Sequence, residues 1–351
     1  MRGVRQVFQQ QEVSDAIIHR LHAMPKVEIH VHLEGATSPD TIWDMAQRNG
    51  VDLPAASREA WHEFYAFSDF AHFIETYILA TSAMRTPEDF EQMVRDFAQR
   101  QAAQNIRYSE AYISPQFHLD AGISQGDLLD AFGAGADSGW REHGSKVRFI
   151  ADISRQTDMH LHDVLPFALA GYERDGLVVG IGLGGIEDAY PPERFAPIFS
   201  EARQGGLHTV AHAGETAGPE SVWGALQVLG AERVGHGIRS LEDPELIAHL
   251  RDNRIPLEVS PNSNYCTKVI PVDEPHPIRA LVDAGVYVTV NSDDPPMFST
   301  DLNNEYVTLA RQGFSFEELW QLNLDTLEAT FLPEDEKAVL REEWTAFADR
   351  T

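Results

Sequence analysis

The chain has 351 residues, 43% hydrophobic and 23% charged, the composition of a globular protein with a sizeable core and not of a disordered or fibrous one. Its 27 Lys and Arg against 55 Asp and Glu leave a formal charge of -28, so the average surface repels nucleic acid and anionic lipid, and neither a nucleic-acid nor a membrane partner is expected. The lone Cys266 excludes an internal disulfide and a Cys-x-x-Cys zinc site. Together with the absence of an apolar signal segment after Met1 and of any run of roughly 18 apolar residues, it points to a soluble cytoplasmic protein.

Residues 12–23 carry apolar side chains at helical spacing and stop at Met24-Pro25, where proline imposes an extended backbone. The next stretch, Val27-Glu28-Ile29-His30-Val31-His32-Leu33-Glu34-Gly35, alternates with period two. As a strand it sets Val27, Ile29, Val31 and Leu33 on one face and Glu28, His30, His32 and Glu34 on the other. Two imidazoles about 6–7 Å apart on one face reach a shared metal ion, although a polar strand edge has the same pattern. Ser38-Pro39-Asp40 caps a helix running through Gln47 towards Asn49-Gly50. Residues 58–105 then read as several helices dense in aromatics, with Trp61, Phe64, Tyr65, Phe67, Phe70 and Phe73 close together. Such a cluster is either plain core or an apolar wall over a site.

Seven further runs read as strands: 107–113, 146–153, 177–183, 208–212, 233–236, 256–259 and 286–291. Helix-length stretches such as 192–204, 221–229, 244–251 and 276–284 lie between them, and 314–350 reads as helices packed outside. Eight strands alternating with helices predict an α/β fold, a (β/α)8 TIM-type barrel in one domain spanning 1–351, with a helical insertion after the first strand and additional C-terminal helices.

In such a barrel reactive residues belong at the C-terminal ends of the strands. The first run ends in His30 and His32, the fifth in His212-Ala213-Gly214-Glu215, the sixth in Gly235-His236-Gly237, and the eighth in Asn291-Ser292-Asp293-Asp294-Pro295. The fourth ends in Gly182-Leu183-Gly184-Gly185, where glycine lets a flat ligand approach the backbone. Two imidazoles from the first strand, one from the fifth and a carboxylate from the eighth make a zinc site able to acidify water towards pKa ~7. Glu215 and His236 remain as proton carriers. A second His-x-His, His160-Leu161-His162-Asp163, falls at a helix start, where residues two apart diverge by about 200°, and is assigned to the surface.

These motifs, together with Met24-Pro25-Lys26 ahead of the first strand, resemble the adenosine deaminase family, from residue 24 to about 323–337. The resemblance implies a zinc-dependent aminohydrolase, one ion per chain, that replaces the exocyclic amine of a 6-aminopurine with oxygen. Carried over by residue, His30, His32, His212 and Asp293 would hold the metal. Glu215 would protonate the purine, and His236 would orient and help deprotonate the attacking water. Asp294 would bond the imidazole side of the purine, and the Gly185 backbone the opposite ring nitrogen. Glu34, where many family members carry Asp, would lie near the sugar with His32. Gly182 and Ile186 replace aspartates common in the animal enzymes. Asp293-Asp294-Pro295-Pro296-Met297-Phe298 resembles bacterial nucleoside-acting members. The expected substrate is adenosine or 2′-deoxyadenosine. Behind it stand 6-aminodeoxyfutalosine, an adenine nucleoside with a bulky 5′ substituent in menaquinone synthesis, and then adenine. A metal-dependent hydrolase of amides or phosphoesters could use the same barrel, without need of an acid at Glu215. No residue pattern specifies an oligomeric state.

Overall fold

The computed structural model describes residues 11–67, 70–158 and 160–349; residues 1–10 and the side chains of Phe70 and Ala71 lie outside the described residues. Eight apolar runs become strands β1 (Lys26–His32), β2 (Ile106–Ile113), β3 (Lys146–Ser154), β4 (Val178–Gly184), β5 (His208–Ala213), β6 (Arg233–His236), β7 (Leu257–Val259) and β8 (Val288–Val290). They pair in sequence order, all parallel. The predicted strands differ from these only at their ends, most at the first, where Leu33, Glu34 and Gly35 fall outside the strand, and at the eighth, where Val286, Tyr287 and Asn291 do.

The seam between β8 and β1 is closed by one bridge, Val31 to Asp293. His32 N donates to Asp293 O at 2.8 Å and Asp293 N to His30 O at 3.1 Å. The Asn291 side-chain oxygen accepts from Ile29 N and His30 N at 3.0 and 3.1 Å, satisfying backbone donors that have no strand partner there. The strict alternation predicted for Val27–Glu34 does not hold. The register of β1 against β2 shifts between Glu28 and Val31, an irregularity that re-aims side chains. Glu28 bonds Gln101 and Ser292, and Val27 joins Tyr108, Leu327, Leu332 and Trp344, while His30 and His32 still face one centre.

Ahead of β1 lies α1 (Asp15–Ala23), capped by Ser14. The insertion after β1 holds α2 (Pro39–Asn49), α3 (Arg58–Tyr65), α4 (Phe70–Ser82) and α5 (Pro87–Ala103). Ser38 accepts from Thr41 N to start α2, and Gly50 at φ +64° ends it. Between β2 and β3, where the alternation calls for a helix without marking its bounds, stand α6 (Pro115–Asp120) and α7 (Gln125–His143). Helix α7 carries four glycines in its length, a loop-like composition, yet Gly135 and Gly139 have a packing reason: a Cβ at either would overlap α5, against Val94 or Ala98. The helices 316–329 and 334–348 pack against the barrel as expected, and the segment between them also crosses its floor.

That floor is polar. Arg233 ion-pairs with Glu110 at 2.7 Å and Glu258 at 2.6 Å, donates to Ala329 O at 2.9 Å, and lies 3.7 Å beneath the Phe331 ring. Tyr112 donates to Glu258 at 2.8 Å. All these charges are buried, so breaking one pair strands the other and costs about 3–5 kcal/mol. No helix among the described residues is long and apolar enough to cross a membrane.

Candidate active site and metal centre

The strand ends bring His30, His32, His212 and Asp293 together, their ligand atoms all within 4.8 Å of one another. His32 Nε2 lies 3.1 Å from His212 Nε2 and 3.3 Å from Asp293 Oδ1, and His30 Nε2 lies 3.5 Å from that oxygen. Donors about 2.0–2.2 Å from a tetrahedral ion stand roughly 3.3–3.6 Å apart, so the set fits a zinc-class cation in spacing as in chemistry. The outer nitrogens are already committed. His30 Nδ1 donates to Glu258 at 2.8 Å and His212 Nδ1 to Leu183 O at 3.0 Å, which points both Nε2 atoms inward; against the effect of burial, Asp293 and Glu258 hold His30 up at about 10, so an ion there would displace its Nε2 proton. Among the described residues nothing hydrogen-bonds the buried His30 Nε2. Burial, and after it the crowd of imidazoles, holds His212 far below the usual histidine range; burial also lowers His32. Both therefore offer neutral rings, as ligation requires.

Space here depends on glycine and on backbone strain. A Cβ at Gly235 would lie 2.8 Å from His30 Cε1, and one at Gly35 would overlap the Asp294 carboxylate. Asp293 and His236 adopt φ +66° and +59°, left-handed conformations that persist where surrounding contacts enforce them. For Asp293 those contacts include the seam bonds and the Ser263 hydroxyl, which donates to Oδ2 at 2.6 Å.

Beside the four donors, Glu215 Oε2 stands 3.7 Å from His236 Nε2. Burial, then the charges of Asp293 and Glu187, push Glu215 up to about 8, so it carries a proton at neutral pH. The Glu187 carboxylate gathers the loop that presents it, accepting from Gly214 N, Glu215 N, Thr216 N and Ala217 N. The hydrogen on His236 can be traced from a backbone donor. Ile278 N donates to His276 Nδ1 at 3.1 Å, so neutral His276 carries its hydrogen on Nε2 and donates to Asn264 Oδ1 at 3.1 Å. Burial keeps His276 neutral, down to about 3. The Asn264 amide then donates to His236 Nδ1 at 3.2 Å, leaving the hydrogen of His236 on Nε2, towards the metal donors. Burial pushes His236 itself down to about 4.

The cleft above is lined by His32, Asp152, Gly185, Glu215, His236 and Asp294, and its outer wall by Phe73, Ile74, Tyr77 and Phe298. Asp294 is buried, and among the described residues its Oδ1 has no hydrogen-bond partner. Burial and adjacent Asp293 raise it well above the carboxylate range. Gly185, at φ +93°, exposes backbone to the cleft. Glu34 does not line it. Its Oε1 accepts from Ser114 N and His118 Nε2, both at 2.8 Å, and its Oε2 from Tyr77 OH at 3.4 Å. His160 bonds Asp163 at 2.7 Å, and neither it nor exposed His162 joins the donor set.

Asp152, Glu187, Glu258, Ser263, Asn264 and His276 were not singled out from the sequence. For three of them the strand-end rule was signal enough: Asp152 closes the third run, and Ser263 and Asn264 follow the seventh. Asp152 is 4% exposed, and among the described residues its Oδ1 has no hydrogen-bond partner. A Cβ at Gly182 would lie 2.5 Å from that oxygen, and one at Gly184 2.5 Å from Oδ2, so two glycines of β4 cradle it.

A family model described as adenosine deaminase matches residues 25–346. An aminodeoxyfutalosine deaminase of Streptomyces coelicolor is 41% identical over 329 residues, 92% of this chain and 85% of that protein. The chain belongs to the adenosine deaminase family. Within this family it is also similar to an adenine deaminase of Cupriavidus pinatubonensis, 37% identical over 93% of each chain. Among solved structures, the adenine deaminase of Arthrobacter aurescens superposes with a TM-score of 0.85 at 30% identity, over 93% of this chain and 100% of that one. An amidohydrolase of Burkholderia ambifaria solved with bound Zn gives 0.88 at 28%, over 99% and 98%. The protein is thus an adenosine-deaminase-type hydrolase acting on a C–N bond, metal-dependent as its family is, and these relatives are aminodeoxyfutalosine and adenine deaminases where the sequence led to adenosine as the first expectation.

Proposed function

We propose that the protein is a zinc-dependent hydrolase that removes the 6-amino group, as ammonia, from an adenine nucleoside enlarged at its 5′ position, of the aminodeoxyfutalosine type. The observation that carries this reading is the withdrawal of Glu34. The position that resemblance puts near the sugar turns its carboxylate into bonds with Ser114 and His118, and Phe73, Ile74 and Tyr77 line the cleft instead. That wall suits an apolar 5′ substituent better than a bare hydroxyl. The 41% relative supports the same reading.

His30, His32, His212 and Asp293 would hold the ion, which when bound supplies Lewis-acid chemistry that makes a water nucleophilic at neutral pH. The chain does the rest. Glu215 holds a proton for the ring nitrogen beside the attacked carbon, help worth ~10²–10⁴ in rate. His236, with hydrogen on Nε2, orients the water through its oxygen, so the expected share in deprotonating it does not belong to its resting form. Asp294, protonated, donates to the imidazole side of the purine, and the Gly185 backbone meets the opposite edge.

Adenine is the second reading, favoured by the 37% relative. Ammonia release by zinc-loaded protein should favour aminodeoxyfutalosine at least about tenfold in kcat/KM over adenosine, 2′-deoxyadenosine and adenine, a factor worth ~1.4 kcal/mol, and chelator should abolish it. Preference for adenine would replace the first reading with the second.

A further inference from the structure

The cleft does not end at the sugar. One stripe of α4, Ile74, Tyr77 and Ile78, lines it, and the same stripe continues through Thr81 and Ser82 to Arg85, lining an adjoining hollow. Ile78 and Phe117 of α6 border both spaces. At 1.5 Å per residue the stripe runs roughly 12 Å from Ile74 to Ser82, a track with an apolar beginning and a cationic end. Ile78 is 53% exposed and stands where the two spaces meet, so it offers apolar surface to a group that passes from one to the other.

Arg85 is exposed at the end of this track. Its Nε donates to Ser82 O at 2.7 Å and its backbone N to Asp89 at 2.9 Å, which fixes the base of the side chain and one edge of the guanidinium. Among the described residues no carboxylate pairs with it, so both Nη groups remain for a bidentate partner. Asp120 also lines the hollow and disfavours a doubly charged phosphate more than a single carboxylate. On a chain of charge -28, an anionic substrate needs such a local cation.

We propose that Arg85 is a specificity-determining residue that binds a carboxylate at the far end of the substrate's 5′ substituent, with Ile78 and Phe117 flanking an apolar, preferably aromatic, spacer. The inference rests on the 5′-extended nucleoside reading. The test compares 5′-S-benzyl-5′-thioadenosine with its 3-carboxybenzyl analogue and the methyl ester of that analogue, with adenine as control, for wild type, Arg85→Ala and Arg85→Lys. Wild type should turn over the carboxylate at least about tenfold better in kcat/KM than either neutral probe. Arg85→Ala should erase that advantage through KM, leaving kcat and the neutral probes within about twofold, and Arg85→Lys should restore part of it. Equal turnover of acid and ester by wild type, or equal loss on all probes in Arg85→Ala, overturns the Arg85 assignment and leaves the 5′-extended reading standing. Turnover of adenine with none of the thioethers overturns both.

Discussion

At the scale of the residue, the site works through protonation states that burial decides. A carboxyl held at about 8 keeps its proton where an exposed one has lost it, so the acid form of Glu215 is complete below that value and disappears as pH rises through it. On these signs kcat/KM should be level through neutrality and fall above about pH 8, and Glu215→Gln should lose ~10²–10⁴ in rate. A profile that already falls near pH 5 would deny Glu215 the role of acid. Asn264 and His276 act one step behind, for their hydrogen bonds decide which nitrogen of His236 carries the hydrogen. The strand-end rule could place Asn264 near the site but not give its role, and His276, a histidine between prolines, acquires meaning only when Ile278 N–H supplies the first donor of the series.

At the scale of the element, β3 and β4 share a single slot. Asp152 fills the space that a side chain at position 182 would need, which gives a physical reason for glycine where animal relatives carry aspartate. Asp152→Gly and Gly182→Asp should each lower kcat/KM at least about tenfold, the second by forcing two carboxylates together, and the double variant should recover above either single one. Strictly multiplicative losses would show that the two positions are independent. The same strands show what sequence can and cannot convey. Apolar runs announced the barrel, and three of the strand ends announced the candidate metal donors and the proposed acid, because a polar residue closing an apolar run is visible in one dimension. The bounds of helix α7 were hidden by its glycines, whose purpose lies in the surface of α5. The shift in β1 was hidden because a register belongs to two strands and not to one. Glu258 was hidden because its partners, His30, Tyr112 and Arg233, come from three other strands.

At the scale of the molecule, the barrel interior is an ion network running from His30 through Glu258 to Arg233 and Glu110, so metal binding and folding are coupled. Removing the ion should lower the melting temperature on the order of 5 °C, taking ~4 kcal/mol for a ligand at a thousand times its Kd. Scanning calorimetry of chelated and reloaded protein measures this, and an unchanged transition would mean that the four donors hold no ion in the folded state. Where Phe331 lies across Arg233, the lower end of the barrel is plugged by a ring and a charge. On the proposed function, purine, water and ammonia would share the cleft mouth at the upper rim, which Phe73 of the insertion and Phe298 wall. A deaminated purine lying in that cleft would stand between the reaction centre and the solvent, so its release would govern how soon the small product departs.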